Sequence, residues 1–181
     1  QRQASSSADK PFFLFVSLTA PHAPFVPTEQ VKGSSQAGRY GDSVALADWS
    51  VGRLLNTLEK TGLLRDTLVL LTSDNGSLKS NKEMEPIYGH RPGHLFRGKK
   101  GDGLEGGHRV PLIVSWPGQF QPSTSNEVIC QTDFFATFAE ILGTQLLADV
   151  GEDSISFLSA LKGKDSKQPI RESIIHYSAN G

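Results

Sequence analysis

The sequence predicts an α/β domain, a mostly parallel central sheet flanked by helices. Continuous apolar, β-prone runs at residues 12–18, 67–73 and 110–115 read as strands buried on both faces. Between the first two lies a stripe of Val44, Ala47, Val51, Leu54, Leu55 and Leu58, spaced by threes and fours, which reads as a helix over 40–60. Strands that alternate with helices argue a largely parallel sheet.

Each element has its own punctuation. Residues 1–10 are polar and serine-rich, and disorder is expected there. The first strand stops at Pro21-His22-Ala23-Pro24, where two prolines forbid further regular structure. Gly62 supplies the stop of the first helix. Residues 77–108 are long, polar and glycine-rich, with Pro86 and Pro92, and read as a functional loop. Pro111 lies near the start of the third strand, and Trp116-Pro117-Gly118 closes that strand with a turn. Thr132 is a good N-cap for a helix through Leu142, with Asp133 in its first turn and Gly143 as its stop. A short helix over 156–161 and a final strand over 173–177 complete the reading. No internal repeat is present.

Bulk properties exclude several function classes. At 181 residues the chain is long enough for one domain, which buries roughly 70% of its unfolded surface. A net charge of −1 argues against a nucleic-acid partner. No apolar stretch approaches the roughly 20 residues of a transmembrane helix. Cys130 is the one cysteine, so no internal disulfide or cysteine-rich metal site forms, and its apolar neighbourhood suits a buried inert thiol. The chain opens at Gln1 and runs quickly into a strand, so it reads as an excerpt from a longer polypeptide.

Four features carry chemistry. Asp74-Asn75-Gly76 follows an apolar strand with a carboxylate and an amide, hard oxygen donors at the strand's carboxyl end. The same triplet is also a favoured hairpin turn. His22, between two prolines, suits proton donation or anion binding near neutral pH; the alternative is a loop histidine bonded to a carbonyl. Arg97-Gly98-Lys99-Lys100 is basic and glycine-flexed, suited to an anionic oxygen. In Glu105-Gly106-Gly107-His108-Arg109 the paired glycines allow close backbone approach, and Glu105 with Arg109 suits a structural ion pair.

Taken together and in order, these segments resemble the sulfatase family of the alkaline phosphatase superfamily. Tyr40-Gly41-Asp42, Asp48-Trp49-Ser50-Val51-Gly52, residues 62–69 and Trp116-Pro117-Gly118 add to the likeness. The resemblance implies that Asp74 and Asn75 bind a calcium ion and that His22 protonates the leaving alcohol. It implies that Lys100 grips the sulfate; Lys99 is off that register and is expected in solvent. His90 and His94 are assigned to the surface or to the substrate pocket, and His108 is left without a role. The resemblance further implies a formylglycine nucleophile, made from the first residue of a Cys/Ser-x-Pro-x-Arg motif.

That motif occurs nowhere in these 181 residues, and neither do the family's two N-terminal aspartates of the calcium site. The expected layout is therefore the central and later part of a sulfatase-like α/β domain over 11–170. The start of a truncated C-terminal subdomain follows over 171–181. The substrate would be a small-molecule or glycan sulfate ester, and the segment by itself is expected to be inactive, with uncovered apolar surface. A phosphoester or phosphonate hydrolase of the same superfamily and a non-catalytic remnant are the alternatives. Family habit points to an exported or periplasmic protein.

Overall fold

The computed structural model describes residues 10–163 and 168–178. The dominant element is helix α1, Gly38–Lys60, which starts two residues before the apolar stripe demands. The turn that leads into it is fixed by the buried carboxylate of Asp42, which accepts the N–H groups of Gly33 and Ser35, each at 2.9 Å. Those two bonds, Gly33 first, hold the carboxyl below its ordinary range. At the far end the N–H of Gly62 bonds the carbonyl of Glu59 and that of Leu63 bonds Leu58. This is the double hydrogen bond of a glycine-terminated helix, and Gly62 takes the required positive φ of 73°.

A short 3-10 turn, Leu64–Asp66, then delivers strand β1, Val69–Thr72. Its partner is β2, Leu112–Ser115. The two run antiparallel, with Val69 opposite Ser115 and Thr72 opposite Leu112. The α/β class expected from the sequence holds, and within it the one ladder among the described residues is antiparallel and two-stranded where parallel pairing was expected. Pro111 stays outside the ladder, because it has no N–H to donate.

Two further expected strands are also corrected. Residues 12–18 join no ladder, and Phe13 and Phe15 are 78% and 79% exposed. Residues 173–177 likewise form no strand, and Ile175 is exposed. Apolar β-prone sequence makes a strand only where a neighbour supplies hydrogen bonds, and neither β1 nor β2 does so here.

The long segment after β1 is more ordered than a loop. It contains helix α2, Asn81–Tyr88, started by a capping box: the Ser80 side chain accepts from Glu83 N–H and the Glu83 carboxylate accepts from Ser80 N–H. The Ser80 backbone bond, then its hydroxyl, then Lys99 bring the Glu83 carboxyl down to about 2. One turn of helix, α3, Glu105–His108, precedes β2.

Helix α4, Asp133–Ile141, and the single turn α5, Leu158–Leu161, build the best-packed corner. Phe157 and Leu158 are buried there, and the Phe157 ring lies 5.9 Å from Phe134. Thr132 is the N-cap residue as expected, but its side chain makes no capping bond. Asp133 ties the helix start to its neighbours instead: fully buried, it accepts the N–H groups of Cys130 and Ile155, both outside the helix, at 2.8 Å and pairs with Arg171. Burial alone raises its pKa, yet these donors outweigh burial and leave the carboxyl below its ordinary value. No described helix is long and apolar enough to cross a membrane.

Candidate active site

Asp74-Asn75-Gly76 leaves the end of β1, and it is not a hairpin turn, since the strand paired with β1 begins only at Leu112. The triplet instead starts a crossing of three backbone segments. Gly76 N–H bonds the carbonyl of Gly107 at 2.8 Å, and a Cβ at Gly76 would sit 1.9 Å from the oxygen of Gly106. Gly106 in turn donates to Arg97 at 2.7 Å, and a Cβ on Gly107 would meet the Asp102 carbonyl at 2.1 Å. Three glycines are thus required because backbone packs directly on backbone. The junction joins the Asp74 turn, the basic loop and the start of α3.

Within the turn the side chain of Asn75 donates from Nδ2 to the carbonyl of Gly76 at 2.9 Å. That bond points Oδ1 the other way as an acceptor. Asp74 is exposed. Gln131, just before α4, donates from Nε2 to the Ser73 carbonyl and so buttresses the turn. No local pattern signals this contact, because the two residues are 58 positions apart.

Lys100 is brought to the same place by its backbone. Its N–H donates to the carbonyl of Ser77 at 2.8 Å, and glycines 98 and 101 on either side take φ of 87° and 92°. Its side chain is half-buried. Lys99, expected in solvent, is exposed along its side chain and reaches Glu83 of α2 at 3.2 Å in a surface ion pair. Glu105 and Arg109 form the expected ion pair at 2.9 Å, which keeps the Glu105 carboxyl below its ordinary value. The Arg109 guanidinium also lies 4.6 Å above the ring of Phe96.

His22 follows a short turn in which its N–H bonds the Thr19 carbonyl at 2.9 Å. Both flanking bonds, Ala20-Pro21 and Ala23-Pro24, are cis. Nδ1 lies 2.6 Å from the Ala23 carbonyl, so that nitrogen is the donor and Nε2 is left to exchange protons. The carbonyl-bound reading of His22 is met at Nδ1, and that contact leaves Nε2 free of it. The connection from His22 to the junction passes through Phe25, whose ring meets the ring of Tyr40 edge-on at 5.5 Å. Tyr40 then reaches Ser77, its hydroxyl 2.8 Å from Oγ. Tyr40, Ser77 and Gln131 were missed as site residues, because their roles depend on partners distant in sequence.

Of the two doubtful histidines, His90 lies 6.2 Å from the Tyr40 ring and lines a shallow cavity with Tyr40 and Tyr88. His94 is exposed, and its carbonyl is held by Asn81 at 2.9 Å. His108 stacks on His176 at 3.7 Å. Cys130 is half-buried rather than buried, with Sγ 2.8 Å from the Thr132 hydroxyl.

The donor chemistry of Asp74 and Asn75 suits a hard divalent cation, but two oxygens are a fraction of the roughly six to eight that calcium takes. No group of three or more His, Cys, Asp or Glu side chains placed to hold a metal occurs among the described residues. Lys100 and His22 are side chains of the types that neutralise an anion and pass on a proton.

Comparison with known proteins gives this arrangement a family. The sulfatase family model matches residues 1–144. An N-acetylgalactosamine-6-O-sulfatase of Bacteroides thetaiotaomicron is 35% identical over 179 residues, covering 97% of this chain and 35% of the relative. Steryl-sulfatase of Mus musculus is 38% identical over 172 residues, covering 93% of this chain and 27% of the relative. A structure described under glycosaminoglycan metabolism by Bacteroides thetaiotaomicron superposes with a TM-score of 0.81 at 34% identity, over 91% of this chain and 35% of its own. The PsFucS1 sulfatase from Pseudoalteromonas sp. gives 0.74 at 31% identity, over 92% of this chain and 33% of its own. The chain spans about a third of the length of the curated relatives it matches. A match over residues 1–144, joined to a shared fold at this level of identity, makes the chain a member of the sulfatase family.

Proposed function

We propose that these residues are the calcium-side and anion-side part of a sulfuric ester hydrolase, and that the protein they build cleaves sulfate monoesters. The observation that carries this is the glycine junction, which ties the Asp74-Asn75 turn to the backbone of Lys100 through Gly76–Gly107 and Lys100–Ser77 hydrogen bonds. Asp74 and Asn75 would hold a calcium ion through their side-chain oxygens. When bound, that ion supplies positive charge to the equatorial oxygens of the ester.

The chain's own residues do the rest. The Lys100 ammonium binds the sulfate group and the leaving oxygen as a compact point charge. His22, with Nδ1 donating to Ala23, delivers a proton from Nε2 to the departing alkoxide, and the alcohol leaves neutral. Glu105 and Arg109 brace the loop without touching substrate. None of these residues is the family's formylglycine, which is expected in sequence outside these 181 residues: no precursor motif occurs among them, and Cys130 sits just before α4 beside Thr132. No nucleophilic step is assigned to these residues, and the 181 residues by themselves are inactive.

The substrate class is a small-molecule or glycan sulfate ester, in keeping with the names of the relatives. The test is sulfate release from an aryl sulfate by the complete polypeptide that carries these residues. Turnover is expected, with Lys100→Ala and His22→Ala each lowering kcat/KM by about 10²-fold or more. Release from a phosphate monoester but not a sulfate monoester would move the assignment to a phosphoester hydrolase. Sulfate release by the purified 181-residue chain would refute its inactivity.

A further inference from the structure

We propose that Tyr40 and Ser77 form a latch that keeps the three arms of this site in register, as positioning residues that do not touch substrate. The inference rests on the reading of the site given above. The Tyr40 hydroxyl lies 2.8 Å from Ser77 Oγ, across 37 residues of chain. Ser77 makes two more bonds: Oγ accepts the N–H of Lys79 at 3.0 Å, and its carbonyl accepts the N–H of Lys100 at 2.8 Å. Ser77 also lies two residues after Asn75. One residue therefore fixes both the chain leaving the Asp74 turn and the backbone that carries Lys100.

The other face of Tyr40 holds the third arm. Its ring takes the Phe25 ring edge-on at 5.5 Å and 79°, and Phe25 lies three residues past His22. A hydroxyl has one proton and two lone pairs, so Ser77 can accept from Lys79 and still bond Tyr40 in either direction. Both residues are half-buried, so loss of the bond is expected to loosen this crossing more than to unfold the protein. A catalytic group displaced by about 1 Å loses on the order of 10²-fold in rate, so a single bond at this crossing has leverage over His22 and Lys100 together.

Tyr40→Phe, Ser77→Ala and the double variant in the complete polypeptide test the latch, with an aryl sulfate as probe. Tyr40→Phe keeps the packing on Phe25 and removes only the hydroxyl. Each single variant is expected to lower kcat about tenfold with KM within about twofold, and the double variant to be no worse than either single one. Amide exchange at Lys100 should quicken about tenfold in Tyr40→Phe, with the melting temperature nearly unchanged. Losses that multiply in the double variant would overturn the latch. So would a lowered melting temperature with normal kcat and normal Lys100 exchange. If the wild-type polypeptide cleaves no sulfate ester, the proposed function fails on its own, and Lys100 exchange in Tyr40→Phe still decides the latch.

Discussion

Residues 74–77 with 97–107, and residues 12–18, are opposite outcomes of sequence patterns that looked equally structural. In the first region polar and glycine-rich chain, expected as loop, packs backbone on backbone with Gly106 and Gly107 buried. In the second an apolar run, expected as a buried strand, leaves Phe13 and Phe15 more than three-quarters exposed. The Phe13 ring meets that of Phe138 edge-on, at 6.1 Å. The difference teaches that apolarity states a need for burial without meeting it. Glycines with no side chain can satisfy backbone groups by close approach alone.

The strongest way to break the comparison is to deny the junction its glycines. Gly76→Ala places a methyl 1.9 Å from a backbone oxygen that has no rotamer to yield. The expected cost is about 3 kcal/mol, read by urea denaturation. Wild-type stability would show that the three segments do not pack as described. The matching control has the opposite sign. Gly52 lies in the middle of α1 with nothing within 4 Å of a new Cβ, so Gly52→Ala should stabilise by about 0.5–1 kcal/mol in the same titration. A loss there would mean that the exposed face of α1 is covered.

A pH titration sharpens the junction's outer edge. Segment 173–178 leans on it through the His108–His176 stack and through Ser178, whose hydroxyl bonds the Gly101 carbonyl at 3.2 Å. Burial first, and the neighbouring His108 second, lower the His176 pKa from 6.5, with Glu105 opposing. The docked state thus favours the neutral ring. Its contribution is full above the ordinary histidine value and is lost as pH falls through the lowered one. The ring-proton shifts of His176, followed by NMR, should titrate below those of a free histidine. His108→Gln should move that midpoint upward, and an unmoved midpoint would remove His108 as a cause.

The smallest folding effect belongs to the other region. Phe15→Ser should change stability by less than about 0.5 kcal/mol, because that ring is already in water. It should, however, reduce self-association measured by sedimentation, since exposed apolar β-prone chain is a template for pairing. A large loss of stability would place Phe15 in a core that the described residues do not show.

Much of the site was readable as residue types. Asp74, Asn75, His22 and Lys100, the residues proposed for the site, are singled out by an ordered set of motifs, and the close approach at Gly106 and Gly107 was legible from the paired glycines. The ends of α1 and α4 were legible because Gly62 and Gly143 act locally, each taking a positive φ. Helix α2 was legible too, in the Ser80–Glu83 capping box, but the glycines and prolines around it drew attention to a loop instead.

What the sequence by itself determined is local: which residues bear charge or oxygen, where helices stop, and where paired glycines permit close backbone approach. What only the tertiary structure decided is partnership: the antiparallel pairing of β1 with β2, the stranding of residues 12–18 without a neighbour, and the Tyr40–Ser77 and Gln131–Ser73 contacts. The reason is physical. A helix cap is settled by bonds within a turn of chain, whereas a ladder or a cross-chain hydroxyl pair depends on which distant segment arrives at the right spacing.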